Sequence, residues 1–136
     1  MKLYFERKET PFVFEIKNEN GATAVVDATT TIGGKNKGLT PMQLLAGSLA
    51  GCMSIDVISI LTKQKIEPSY FAIEIQATKK EGQPSPFEQI KLLFKVDKEV
   101  PKDKLEKAIS LSKEKYCSVY FSLNKDILVT HEVILI

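Results

Sequence analysis

Two residues of this chain carry nucleophilic sulfur, Cys52 and Cys117, 65 positions apart and with no Cys-x-x-Cys motif around either. In a reducing compartment such a pair is either two buried bystanders or a redox couple. Cys52 falls midway along an apolar helical stretch, where a lone cysteine is ordinarily a small inert hydrophobe. Cys117 ends one predicted helix and starts a short one, where backbone N–H groups would stabilise a thiolate. On the residues alone both readings stay open.

The other chemistry-bearing groups are few. Asp56 lies four residues after Cys52, on the same helical face one turn along; it could hold an arginine, repel a thiolate, cap a loop or pair with a lysine. Arg7, the only arginine, shares strand parity with Leu3 and Phe5. Aimed at an apolar face it needs an anionic partner, unless its stem snorkels out from an edge strand. His131, the only histidine, shares parity with Val129, Val133 and Leu135, the setting of a core or interface histidine. No serine motif accompanies it, so a hydrolase triad is unsupported. Gly33 and Gly38 have P-loop spacing, but Leu39-Thr40 follow where the phosphate-reaching lysine should be, which excludes that nucleotide motif. Cys52, Cys117 and His131 lack the short spacings of a zinc site, so neither a metal nor any other cofactor is expected.

These groups sit in an ordinary globular composition, 43% hydrophobic and 26% charged over 136 residues, which predicts one domain spanning 1–136. Net charge is +2, and 18 of the 19 basic residues are lysines. Without arginine forks, nucleic acid is not an expected partner. Charges at Lys2, Glu6, Arg7, Lys8 and Glu9 interrupt any export signal, so the expected location is cytoplasmic. The longest uncharged run, Leu39 to Ile55, is broken by Pro41, Gln43 and Ser48 and falls short of the ~20 apolar residues of a membrane span.

The elements that must position the cysteines follow from periodicity. Leu3 to Arg7, Phe12 to Lys17 and, after the Asn20-Gly21 turn, Ala22 to Val26 predict a three-stranded antiparallel meander. Thr29 to Gly38 reads as a loop. Thr40 as N-cap and Pro41 at the first position open a helix that runs to about Lys63 and is apolar nearly all round. More than one small sheet must cover such a helix. Phe71 to Thr78 and Ile90 to Val96 alternate as a second antiparallel hairpin around Gln83-Pro84-Ser85-Pro86. A helix from Pro101 follows, with the stripe Leu105, Ala108, Ile109 and Ser112 and an end near Tyr116-Cys117. Ser118 to Leu123 continues as a short helix, and Ile127 to Ile136 closes as an apolar strand. The class is α+β.

The run Gly38-Leu39-Thr40-Pro41-Met42-Gln43-Leu44-Leu45-Ala46-Gly47-Ser48-Leu49-Ala50-Gly51-Cys52, with Glu114-Lys115-Tyr116-Cys117-Ser118-Val119 downstream, resembles the OsmC/Ohr family of osmotically induced and organic hydroperoxide resistance proteins. Ser54-Ile55-Asp56-Val57-Ile58-Ser59-Ile60-Leu61 resembles its OsmC-like branch. The resemblance covers essentially the whole chain. It implies an OsmC-like fold: an N-terminal antiparallel meander, long central helices packed on antiparallel sheet, and an intertwined homodimer whose active site draws on both chains.

The implied activity is thiol-dependent reduction of organic hydroperoxides in oxidative stress defence. Cys52 matches the attacking cysteine and Cys117 the resolving one; an external dithiol, such as a reduced lipoyl group on a partner protein, would reopen the disulfide. Family peroxidases hold the thiolate with a helix-start glutamate and an N-terminal arginine. Here the motif reads Pro41-Met42-Gln43, so Gln43 is neutral, Arg7 is the arginine that aligns, and Asp56 is the available anion. The rival readings are a non-catalytic dimer that binds an apolar small molecule and a cysteine-based redox sensor.

Overall fold

Alternation in the first 26 residues becomes strand in the computed structural model, which describes Met1–Ile136. Strands β1 (Leu3–Glu9), β2 (Val13–Asn18) and β3 (Thr23–Val26) pair antiparallel in that order. The β2–β3 turn closes because Asn18 Oδ1 accepts the N–H groups of Asn20 and Ala22, both at 2.9 Å, while Gly21 takes a φ of 90°. Contacts divide the chain into two compact units, residues 1–45 and 46–136.

In the unit 1–45, the segment after β3 is more organised than a plain loop. Asp27, 2% exposed, accepts N–H bonds from Ala28 at 2.7 Å, Lys35 at 2.9 Å and Lys37 at 3.2 Å. Its own N–H donates to the Leu39 carbonyl. Gly34 and Gly38 are required here because a Cβ on either would collide with the backbone at Ala28 or Val25. Glu9 pairs with Lys35 and Lys37 over the outside. β1 itself is poorly covered: Leu3, Tyr4 and Phe5 are each more than half exposed, although Phe5 stacks on Phe14 with ring centroids 4.9 Å apart. Arg7 stands on the same strand. The face it shares with Leu3 and Phe5 is open, and Arg7 is exposed with it.

Helix α1 (Pro41–Lys63) starts where Thr40 and Pro41 predict. Thr40 Oγ1 accepts the Gln43 N–H at 3.3 Å and Gln43 Oε1 accepts the Thr40 N–H at 2.9 Å, a reciprocal capping box. The expectation that the chain falls short of a membrane span needs correction on length: α1 has 23 residues with a window of mean hydropathy 1.9. Leu49, Met53, Val57 and Leu61 are nonetheless almost completely enclosed by protein, and Asp56 lies mid-helix. That is the pattern of a core helix.

In the unit 46–136, β4 (Phe71–Lys79) and β5 (Phe87–Val96) form the expected hairpin, and β6 (Leu128–Leu135) adds parallel to β5. The central strand β5 buries one face completely, with Ile90, Leu92, Phe94 and Val96 at 0% exposure, while Lys91 and Lys95 on the other face are only half-buried. Each fully buried apolar side chain contributes about 1.5–3 kcal/mol. A parallel neighbour requires a crossover, which α2 (Lys102–Leu111) provides by burying its stripe Leu105, Ala108 and Ile109. Its chain then widens into a π-helical turn, Ser112–Tyr116, before α3 (Ser118–Ser122). His131 is half-buried, its Nε2 2.9 Å from Glu106 Oε2 on α2 and its ring edge-on to Phe94.

Candidate functional site

Cys52 and Asp56 share one face of α1 because residues four apart in a helix stand above one another. Opposite them is the π-helical turn. There the Cys117 N–H reaches back five residues to the Ser112 carbonyl at 2.8 Å, which sets Cys117 at the start of α3. Single π turns inside α-helices occur often at functional sites, because the extra residue redirects the side chains that follow. Ser112 also ties the two elements together, its buried hydroxyl donating to Asp56 Oδ2 at 2.7 Å. The result is a cluster in which the Cys52 and Cys117 sulfurs and an Asp56 oxygen lie within 4.8 Å of one another. Both thiols are free, Cys52 half-buried and Cys117 fully buried.

The two sulfurs stand in different environments. Burial pushes the Cys117 thiol up to about 11, helped by the hydrogen bond and charge of Cys52 and by the charge of Asp56. The helix-start donor expected from sequence is present, since the Tyr120 N–H points at Cys117 Sγ from 3.3 Å. It lowers the thiol, as argued, but desolvation outweighs it. Cys117 is therefore a protonated, buried thiol at neutral pH. Beside the cluster, Asp56, Ser59 and Lys63 on α1 border a cleft of about 510 Å³ whose other walls include Ile60, Leu111 and Tyr116.

Of the five residues singled out from sequence, the structure thus brings three together, Cys52, Asp56 and Cys117. Gln43 is engaged in the capping box with Thr40. Arg7 lies exposed on β1, opposite Phe14 in the strand register. Ser112 was not anticipated. Its signal in the sequence is a single polar residue continuing the apolar stripe of Leu105, Ala108 and Ile109, where a buried hydroxyl must find a partner.

Residues 34–132 match the family model described as OsmC-like protein. The chain belongs to the OsmC-like family. It is 35% identical over 97 residues to protein YhfA of Escherichia coli K12, covering 71% of this chain and 72% of YhfA. Among solved structures, a protein of Aquifex aeolicus VF5 superposes with a TM-score of 0.80 at 28% identity, covering 99% of this chain and 96% of the other. The organic hydroperoxide resistance protein OhrB of Bacillus subtilis superposes with a TM-score of 0.68 at 17% identity, covering 98% of both chains, a likeness of fold. The α+β, OsmC-like architecture is thereby established.

Proposed function

We propose that this OsmC-like protein is a thiol peroxidase that reduces organic hydroperoxides through a two-cysteine cycle, with residues 1–136 acting as a single domain. The observation that carries the reading is the approach of two free cysteines, distant in sequence, to within 4.8 Å. A disulfide needs an S–S distance of about 2 Å, so local movement at the Cys117 turn is enough to close it. Cys52 thiolate attacks the distal peroxide oxygen and the O–O bond breaks. The sulfur is oxidised to sulfenic acid, and the substrate leaves as an alcohol after taking up a proton. The Cys117 thiol then condenses with that sulfenic acid, releasing water and forming the disulfide. An external dithiol, such as a lipoyl group on a partner protein, restores both thiols by exchange and leaves as its own disulfide.

The environments support this division of labour. A buried thiol held near 11 is a poor attacker at neutral pH, which suits Cys117 to the second step, and half-buried Cys52 is the more accessible sulfur. The cleft beside Asp56 sets Ile60, Leu111 and Tyr116 among the polar Asp56, Ser59, Lys63 and Gln64, a mixed lining that suits a substrate with both a hydrocarbon body and a polar end. Exposed Leu3, Phe5, Leu45 and Ile55 support the homodimer, since a second copy would cover apolar surface that one chain leaves in water. Free thiols accord with a cytoplasmic setting.

Cumene hydroperoxide consumption with a dithiol reductant tests the reading. Cys52→Ser is expected to abolish turnover. Cys117→Ser should complete one oxidation and stop at sulfenic acid, trapped by dimedone and seen by mass spectrometry. A Cys52→Ser protein that consumes one equivalent while Cys117→Ser consumes none would reverse the roles. If the reduced wild type never reacts, the non-catalytic binder replaces the peroxidase.

A further inference from the structure

The cluster has a second chemistry that needs only its reduced thiols. Two sulfurs and a carboxylate oxygen lie within 4.8 Å of one another. Tetrahedral zinc, bonded at about 2.3 Å to sulfur and about 2.1 Å to oxygen, holds its ligand atoms about 3.5–3.8 Å apart. Closing the three donors onto an ion asks for shifts of about 1 Å, a change that side-chain rotation at half-buried Cys52 and Asp56 can make. Two thiolates with one carboxylate favour thiophilic ions over magnesium or calcium, which take oxygen ligands. Asp56 is already oriented by Ser112, whose hydroxyl donates to Oδ2 at 2.7 Å, the kind of outer hydrogen bond that steadies a ligating carboxylate. The cleft bordered by Asp56 and Tyr116 gives an entry path.

We infer that the Cys52–Asp56–Cys117 cluster of the reduced protein binds one thiophilic divalent cation of the zinc class. Each thiol exchanges its proton for a metal–sulfur bond, two protons are released, and no atom changes oxidation state. Three protein ligands leave the fourth position to solvent. A disulfide between the same sulfurs removes two of the three ligands, so cation and disulfide exclude one another. Scattered positions in the sequence hide such a set, because its ligands meet only through the contact of α1 with the Ser112–Tyr116 turn.

The test is an anaerobic titration of the reduced full chain with Co²⁺. One equivalent should produce thiolate-to-cobalt charge-transfer absorption and the visible bands of a tetrahedral ion, both displaced by Zn²⁺. Zinc affinity follows from competition with a chromophoric chelator. Cys52→Ser is expected to halve the charge-transfer intensity and weaken zinc binding by more than tenfold. Asp56→Asn should keep both thiolate bands and weaken binding, and Ser112→Ala should cost about tenfold. Circular dichroism of the half-buried Cys52 and Asp56 variants confirms that the losses are local. A cobalt complex without thiolate bands, or zinc affinity indifferent to Cys52→Ser and Asp56→Asn, overturns the site. Zinc binding by a protein that never consumes hydroperoxide keeps this inference and removes the catalytic reading; turnover with no metal binding does the reverse.

Discussion

Asp27 and Asp56 are two aspartates whose side chains organise their surroundings, and they do so differently. Asp27 accepts three backbone N–H groups, from Ala28, Lys35 and Lys37, and is 2% exposed. Burial pushes its carboxyl up, but the three donors outweigh it and hold it below the usual aspartate range. Asp56 is half-buried and takes one side-chain hydroxyl, from Ser112, while facing two thiols. A carboxylate saturated by backbone donors is committed to holding a loop. One with a single donor keeps lone pairs and charge available to its neighbours.

The contrast is sharpest in stability. Asp27→Ala removes at once the buried acceptor of three part-buried N–H groups, and polar groups left unpaired away from water are costly. Its thermal midpoint is expected to fall by on the order of 10 °C. Asp56→Ala, read in the same calorimetric scan, should fall by only a few degrees, about one unpaired hydroxyl's worth. Equal losses would mean that Asp56 too is mainly a structural clamp, and the distinction between them would fail.

How far the sequence foretold this contrast depends on the range of the interactions involved. The start of α1 was legible because Thr40 and Pro41 act on their own backbone, and the hairpins were legible because alternation is a local property. The parallel entry of β6 beside β5 was not, since apolar patterning carries no strand direction. Asp27 was passed over because its donors lie 8 and 10 residues away within what composition reads as plain loop. Gly34 and Gly38 were the available hint of a tight backbone approach. The meeting of Cys52 with Cys117 depends on a π turn that no periodicity announces, so family resemblance, and not spacing, was what linked them.

Titration separates the two regions at opposite ends of the pH scale. The lowered Asp27 carboxyl stabilises the fold above the ordinary aspartate pKa, and that contribution is lost as pH falls through its lower folded value. The Cys117 thiol, raised from 9.0 to about 11, binds its proton more tightly when folded. Its contribution is complete below about 9 and is lost as pH rises towards about 11. Urea unfolding across both limbs should therefore show an acid slope that Asp27→Asn flattens and an alkaline slope that Cys117→Ala flattens. An alkaline limb unchanged in Cys117→Ala would place the responsible group elsewhere.

A smaller effect isolates the charge of Asp56 from its packing. Because that charge raises the Cys117 thiol, Asp56→Asn should lower the Cys117 pKa while leaving the Ser112 hydroxyl an acceptor. Thiolate absorbance near 240 nm, followed against pH in a Cys52→Ser background, reads the shift directly. A pKa that moves up instead would show that the carboxylate's role at Cys117 is not electrostatic repulsion.

The smallest effect is expected at Ser112, which makes two bonds of different kinds. Its carbonyl accepts the Cys117 N–H at 2.8 Å and so helps form the π turn, whereas its hydroxyl reaches Asp56. Alanine keeps the carbonyl and deletes only the hydroxyl. Cys117 should stay in place, and half-buried Asp56 can recover a donor from water, which limits the stability loss to about 1 kcal/mol. The same substitution frees the Asp56 carboxylate to rotate, so closure of the Cys52–Cys117 disulfide after one equivalent of hydroperoxide should change by a few-fold at most. Stopped-flow measurement of that step decides between the two bonds. A large slowing in Ser112→Ala would mean that the hydroxyl, and not the turn's backbone, holds the thiols in register.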